Sequence, residues 1–162
     1  MEARTTALGI EEILRKNDEK RAHGRVRQDA YERDSNARFA FSQSVAAKLI
    51  AAVQHMRDPA IGIPERLPIA SKETEIGVFV ECQGLVRFTL HCVVRTDQEG
   101  NAYCSAVDIG MSRPGGKIVR SSFDPVHGHS GTRASRLGVP EKHFGIDPAR
   151  FVHAVEALAH QL

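Results

Sequence analysis

Apolar and polar residues alternate most clearly across Val86–Arg95. Val86, Phe88, Leu90, Cys92 and Val94 point one way, and Arg87, Thr89, His91, Val93 and Arg95 the other. That period of two predicts a half-buried strand. Similar stretches predict strands at Glu75–Cys82, Ala102–Met111 and Lys117–Phe123. Short connections separate them: Gln83-Gly84, then Asp97 to Gly100, then Pro114-Gly115-Gly116. Such turns join antiparallel neighbours, so the four strands are expected to form a meander. A three-residue loop including Leu85 sets Val80 opposite Phe88, Val78 opposite Leu90 and Cys92 opposite Ile76, keeping like faces together. The same arithmetic places Asp108 on the polar face, with Arg120 opposite or one step diagonal. Thr89 is expected on its other side, with Arg87 and His91 diagonal.

The period changes on either side of these strands. Phe41, Val45, Leu49, Ala52, Val53 and Met56 recur at helical steps, with Asp34 or Ser35 as a cap, so a helix is expected to end before Asp58-Pro59. Phe151, Val152, Val155, Leu158, Ala159 and Leu162 mark a last helix. Asp147-Pro148 is a capping aspartate followed by proline at the first helical position. The three prolines of residues 58–71 mark a packed connector, with a short edge strand around Leu67–Ala70. The fold class expected is α+β: a four-stranded antiparallel β-meander packed on one face by two helices, one before and one after the sheet. The polar face is then open, or covered only by the loop after the fourth strand.

Residues 1–38 differ from the rest. Arg15 to Arg38 holds thirteen charged residues, with Gly24 in the middle. Mixed signs at helical spacing, as in Arg15 with Glu19, fit an exposed helix or an arm that orders on a partner. The domain division expected is therefore a charged N-terminal helical arm, 1–38, and a single α+β domain, 39–162.

At 162 residues and 41% hydrophobic, the chain is long enough for one real core. A net charge of +2 carries no nucleic-acid signal by itself. Its distribution does. Residues 59–112 hold four Lys/Arg against seven Asp/Glu, whereas residues 113–150 hold seven against three. Cys82, Cys92 and Cys104 form no CxxC pair, which fits buried thiols in a reducing cytoplasm rather than disulfides or structural zinc. No signal peptide or membrane-length apolar run is present, so a cytoplasmic location is expected.

The basic segment coincides with the chain's densest polar chemistry, Lys117–His143. It holds His127, His129 and His143 together with Arg120, Asp124, Arg133, Arg136 and Lys142. Metal-independent RNA cleavage needs a base for the 2′-hydroxyl, an acid for the leaving oxygen and cations for the charge on phosphorus. Histidine titrates near neutrality and suits the first two tasks. His127, His129, Arg120 and Asp124 are therefore the candidate catalytic residues. Arg87, His91, Arg133, Arg136 and Lys142 are the candidate nucleic-acid contacts. His127-Gly128-His129 is also an HxH, with Asp124, His91 or His143 as a third ligand, but the surrounding arginines disfavour a cation, and neither metal nor cofactor is expected. Pro114-Gly115-Gly116-Lys117 lacks phosphate-loop spacing and leads into a strand. Only Phe79 supplies an aromatic to the polar face, short of an RNA-recognition platform.

The order Arg120, Asp124, His127, then Lys142-His143 before a terminal helix resembles small bacterial toxin-like proteins with a β-meander and a histidine-containing tail. The resemblance covers about a third of the chain and assigns no catalytic role. The partners expected are nucleic acid, RNA ahead of DNA, or a protein target, with no membrane and with the N-terminal arm as a homodimer surface. The first function expected is nucleic-acid interaction, with ribonuclease chemistry on the His/Arg loop. The alternative is a non-enzymatic regulator or inhibitor of antitoxin, immunity or anti-defence type. Catalysis and simple binding both stay open.

Overall fold

A computed structural model describes residues 2–68, 71–126 and 138–162, with side chains described from residue 9 onward. Its order is α1 (Glu2–Met56), β1 (Pro64–Leu67), β2 (Glu75–Gln83), β3 (Arg87–Thr96), β4 (Ala102–Cys104), β5 (Val107–Ser112), β6 (Val119–Phe123), β7 (Val139–Pro140), a 3₁₀ turn (Glu141–His143) and α2 (Pro148–Ala159). The architecture is α+β. The sheet has seven antiparallel strands rather than the expected four.

Three differences account for the count. The strand expected at 102–111 is interrupted at Ser105-Ala106. Val94 faces Cys104 while His91 faces Asp108, so the second strand carries one extra residue across the gap, a β-bulge. Ser105 fills it, its hydroxyl accepting from the Val93 amide at 2.9 Å. The edge strand lies at Pro64–Leu67, before the expected stretch, and pairs with β2. Val139–Pro140, inside the expected loop, adds a two-residue strand against β4. Such short pieces carry too few residues to show a period.

The β2–β3 register also differs. Val80 faces Leu90, Val78 faces Cys92 and Ile76 faces Val94, because the hairpin loop is Gly84-Leu85-Val86. The slip is two residues, so every side chain keeps its expected face. A side chain at Gly84 would collide with the Ala60 carbonyl, which ties the hairpin to the chain leaving α1.

The apolar face carries Val78, Val80, Phe88, Leu90, Val94, Val107 and Ile109, all fully buried. Two helices cover it. α1 packs on β1 to β4, and α2 on β5 and β6. Phe151 of α2 meets Phe88 and Phe123 edge-on, at 6.5 and 5.7 Å between ring centroids. Asp147 caps α2 as expected, its carboxylate accepting from the Ala149 and Arg150 amides. Cys82, Cys92 and Cys104 are buried and unbridged. Burial pushes the Cys82 thiol up to about 11, and a sulfur hydrogen bond with Cys104, together with burial, raises that of Cys92.

α1 is one unbroken helix, with no start or cap at Asp34 or Ser35. Residues 9–29 are exposed without exception, and continuous burial on one side begins at Arg38. The helix ends at Arg57, whose φ of 51° is left-handed, with its amide on the Gln54 carbonyl. Among the described residues, no helix is long and apolar enough to cross a membrane.

Candidate functional site

The second face of the sheet is left uncovered by either helix, and strand register fixes its layout. One row across β2, β3, β5 and β6 reads Phe79, His91, Asp108, Ser122. The next reads Glu81, Thr89, Gly110, Arg120. The row after it contains Gln83, Arg87 and Ser112. Asp108 therefore faces His91 directly, whereas Thr89 was expected opposite it. Arg120 is one step diagonal to Asp108, within the expectation.

Gly110 shapes the surface. A Cβ there would lie 2.5 Å from Thr89 Oγ1, so the absent side chain leaves a hollow that Thr89 leans into. A pocket of about 400 Å³ opens over it, lined by Phe79, Arg87, Thr89, His91, Asp108, Ser112, Ile118 and Arg120 among others. His91 Nδ1 lies 4.0 Å from Asp108 Oδ2, beyond a direct hydrogen bond. The Phe79 and His91 rings sit side by side, 6.2 Å apart with planes at 53°.

The charges on this face are unequal in availability. Arg87 donates to Glu81 at 2.8 Å, and hydrogen bonds from Gln83 and Arg87 hold the Glu81 carboxyl below its usual range. Arg95 is paired with Glu75 at 2.8 Å, and its hydrogen bond lowers the Glu75 carboxyl. Arg120 is exposed and has neither ion pair nor hydrogen bond among the described residues. Among the described residues, the open cation of the face is thus Arg120. Arg113 and Lys117 are exposed on the hairpin leading to it.

The structure brings Arg87, His91 and Arg120 into one pocket. Asp124 lines a separate recess beside α2, with Ser122, Arg150 and His153. Its Oδ1 is buried with no hydrogen-bond partner among the described residues. Lys142 lies elsewhere, in a recess with Ala37, Asp97 and Asn101. His127, His129, Arg133 and Arg136 lie outside the described residues. Gly110 and Ser112 are pocket residues that the sequence reading passed over. A glycine inside a strand pattern was the available signal for the first. No group of three or more His, Cys, Asp or Glu among the described residues could hold a metal ion.

No family model, no curated protein and no solved structure matches this chain, so its chemistry is read from its own residues.

Proposed function

We propose that the protein binds nucleic acid, RNA ahead of DNA, through the face of the sheet that neither helix covers. The observation that carries this reading is Arg120: an exposed guanidinium, unpaired among the described residues, beside a hydroxyl-lined hollow, with Arg113 and Lys117 on the same hairpin. A guanidinium fork matches a phosphate, and hydroxyls complete its hydrogen bonds. Arg87 contributes less, because contact with a phosphate must compete with Glu81.

Single-stranded RNA binding measured across a salt series tests this. Affinity should fall steeply with salt as counterions are released, and Arg120→Ala should reduce the log–log slope by about 0.7. Salt-insensitive binding, or an unchanged slope in the variant, would end the proposal. Cleavage adds His127 and His129 as base and acid, with Asp124 as a candidate orienting group. His127→Ala and His129→Ala should then lose orders of magnitude in rate in EDTA while binding persists.

One observation favours a second reading, a regulator or inhibitor that captures a protein. Residues 9–29 of α1 are exposed on every side, and they leave Ile10, Ile13, Leu14 and Val26 in water, apolar side chains that suit a partner's surface. Deleting residues 1–34 should then abolish partner capture while the domain stays folded.

A further inference from the structure

We infer that the hollow over Gly110 holds one unstacked nucleotide, its base against the Phe79 and His91 rings and its phosphate on Arg120. This rests on the nucleic-acid reading and gives it a ligand-sized unit.

The two rows of the face divide the work. Phe79 and His91 are direct partners across β2 and β3, so their rings stand on the same side of the sheet as neighbours. Their planes stand at 53°, so a base stacks on one ring and meets the other at an angle, and such stacking has little regard to sequence. Phe79 alone makes no platform; the register supplies the second ring, which alternation within a single strand does not reveal. The phosphate end lies diagonally across the hollow. From His91 to Arg120 is two strand spacings and one pleat, about 12 Å between Cα positions. The guanidinium closes part of that gap, leaving the length of a single nucleotide.

Asp108 fixes the direction. It stands in the ring row, beside His91, and its charge repels a phosphate placed there. The phosphate is left with the Arg120 end, where Thr89 supplies a hydroxyl. Asp108 in turn is an acceptor next to the base edge, suited to an exocyclic amine. The pocket's volume, about 400 Å³, falls within the range of small-ligand sites.

The test separates stacking from charge. Single-stranded RNA binding is measured by fluorescence anisotropy across a salt series, for the full chain and two variants, with thermal melts to confirm folding. Phe79→Ala should weaken binding by roughly 5- to 150-fold and leave the salt slope unchanged. Gly110→Ala, which fills the hollow without touching a charge, should weaken it comparably. Wild-type affinity in either folded variant overturns the nucleotide pocket, while the nucleic-acid reading stands on the wild-type binding. If the wild type holds no RNA, that broader reading fails, and titration with nucleoside 5′-monophosphates decides the pocket by amide NMR. Shifts centred on Thr89, His91 and Gly110 retain it as a mononucleotide site; their absence overturns it.

Discussion

The two halves of α1 belong to one helix and are held by different forces. From Phe41 to Val53, the helix buries Phe41, Val45, Ala46, Leu49 and Val53 against the sheet. From residue 9 to residue 37, about 44 Å of helix, it buries almost nothing. What supports that half is local: Arg15 bonds Glu12 and Glu19, Lys16 reaches Glu12, and Gln28 donates to Glu32. Each such contact contributes only about 0.2–0.5 kcal/mol. One half is thus a core element that happens to be helical. The other persists because good local pairs are stacked on a nucleus that the core supplies, sparing it the cost of initiation.

The sharpest way to break this contrast is at Phe41. It is fully buried and meets the Phe144 ring edge-on at 5.6 Å. Phe41→Ala should cost about 3–5 kcal/mol in a denaturant melt. Tyr31→Ala, on the exposed half, should stay within about 0.5 kcal/mol. Equal losses would mean that the exposed half is also load-sharing.

Arg38 marks the joint. Its guanidinium is buried and donates to Thr96 Oγ1 at 2.7 Å and to the Glu73 carbonyl at 2.9 Å. Arg38→Ala should cost about 1.5–3 kcal/mol. Amide exchange should then quicken on both sides of residue 38, because the exposed half loses its anchored end.

Gly24→Ala sharpens the comparison in the opposite direction. Nothing lies within 4 Å of a Cβ at that position, so the substitution acts on the helix alone. It should stabilise the exposed half by about 1 kcal/mol. The readout is slower amide exchange around residue 24 with an unchanged global midpoint; a shifted midpoint would show the halves to be coupled.

The smallest effect expected is acid sensitivity. Glu75 and Glu81 have carboxyls lowered by hydrogen bonds, chiefly from Arg95 for the first and from Gln83 and Arg87 for the second. A lowered folded value means that their stabilisation is present above the ordinary carboxyl value of 4.5 and disappears as pH falls through the lowered one. The melting temperature of the sheet should therefore drop below about pH 4.5. Arg95→Gln should flatten that drop; an unchanged acid profile in the variant would assign it to other groups.

Much of the fold was legible because side-chain alternation is robust. The β2–β3 register was misplaced by two residues, yet Phe88, Leu90 and Cys92 still faced the core, since a slip of two preserves parity. Asp147-Pro148 announced α2 through local chemistry alone. The continuous α1 was not legible across residues 34–38, because Asp34 and Ser35 are good caps and nothing local says that the helix has already begun. The bulge at Ser105 was invisible for a related reason: the sequence 102–111 reads as one strand until its partner is known. Within the site, Arg87, His91 and Arg120 were identified by type. Their gathering around Asp108 on the polar face was expected from the hairpin loops, with the exact partners shifted; the separation of Asp124 and Lys142 into other recesses was not legible.

By itself, the sequence determined the class of each long segment and which side chains face inward, since both follow from periods of two and 3.6 within a single element. The tertiary structure decided which residues meet across the strands: that His91 stands opposite Asp108 and beside Phe79, that Gly110 opens a hollow in front of Arg120, and that Arg87 is already engaged by Glu81. Alternation assigns a residue to a face, but it carries no information on what lies across the strand gap. That depends on loop lengths, a bulge and the packing of two helices over the opposite face.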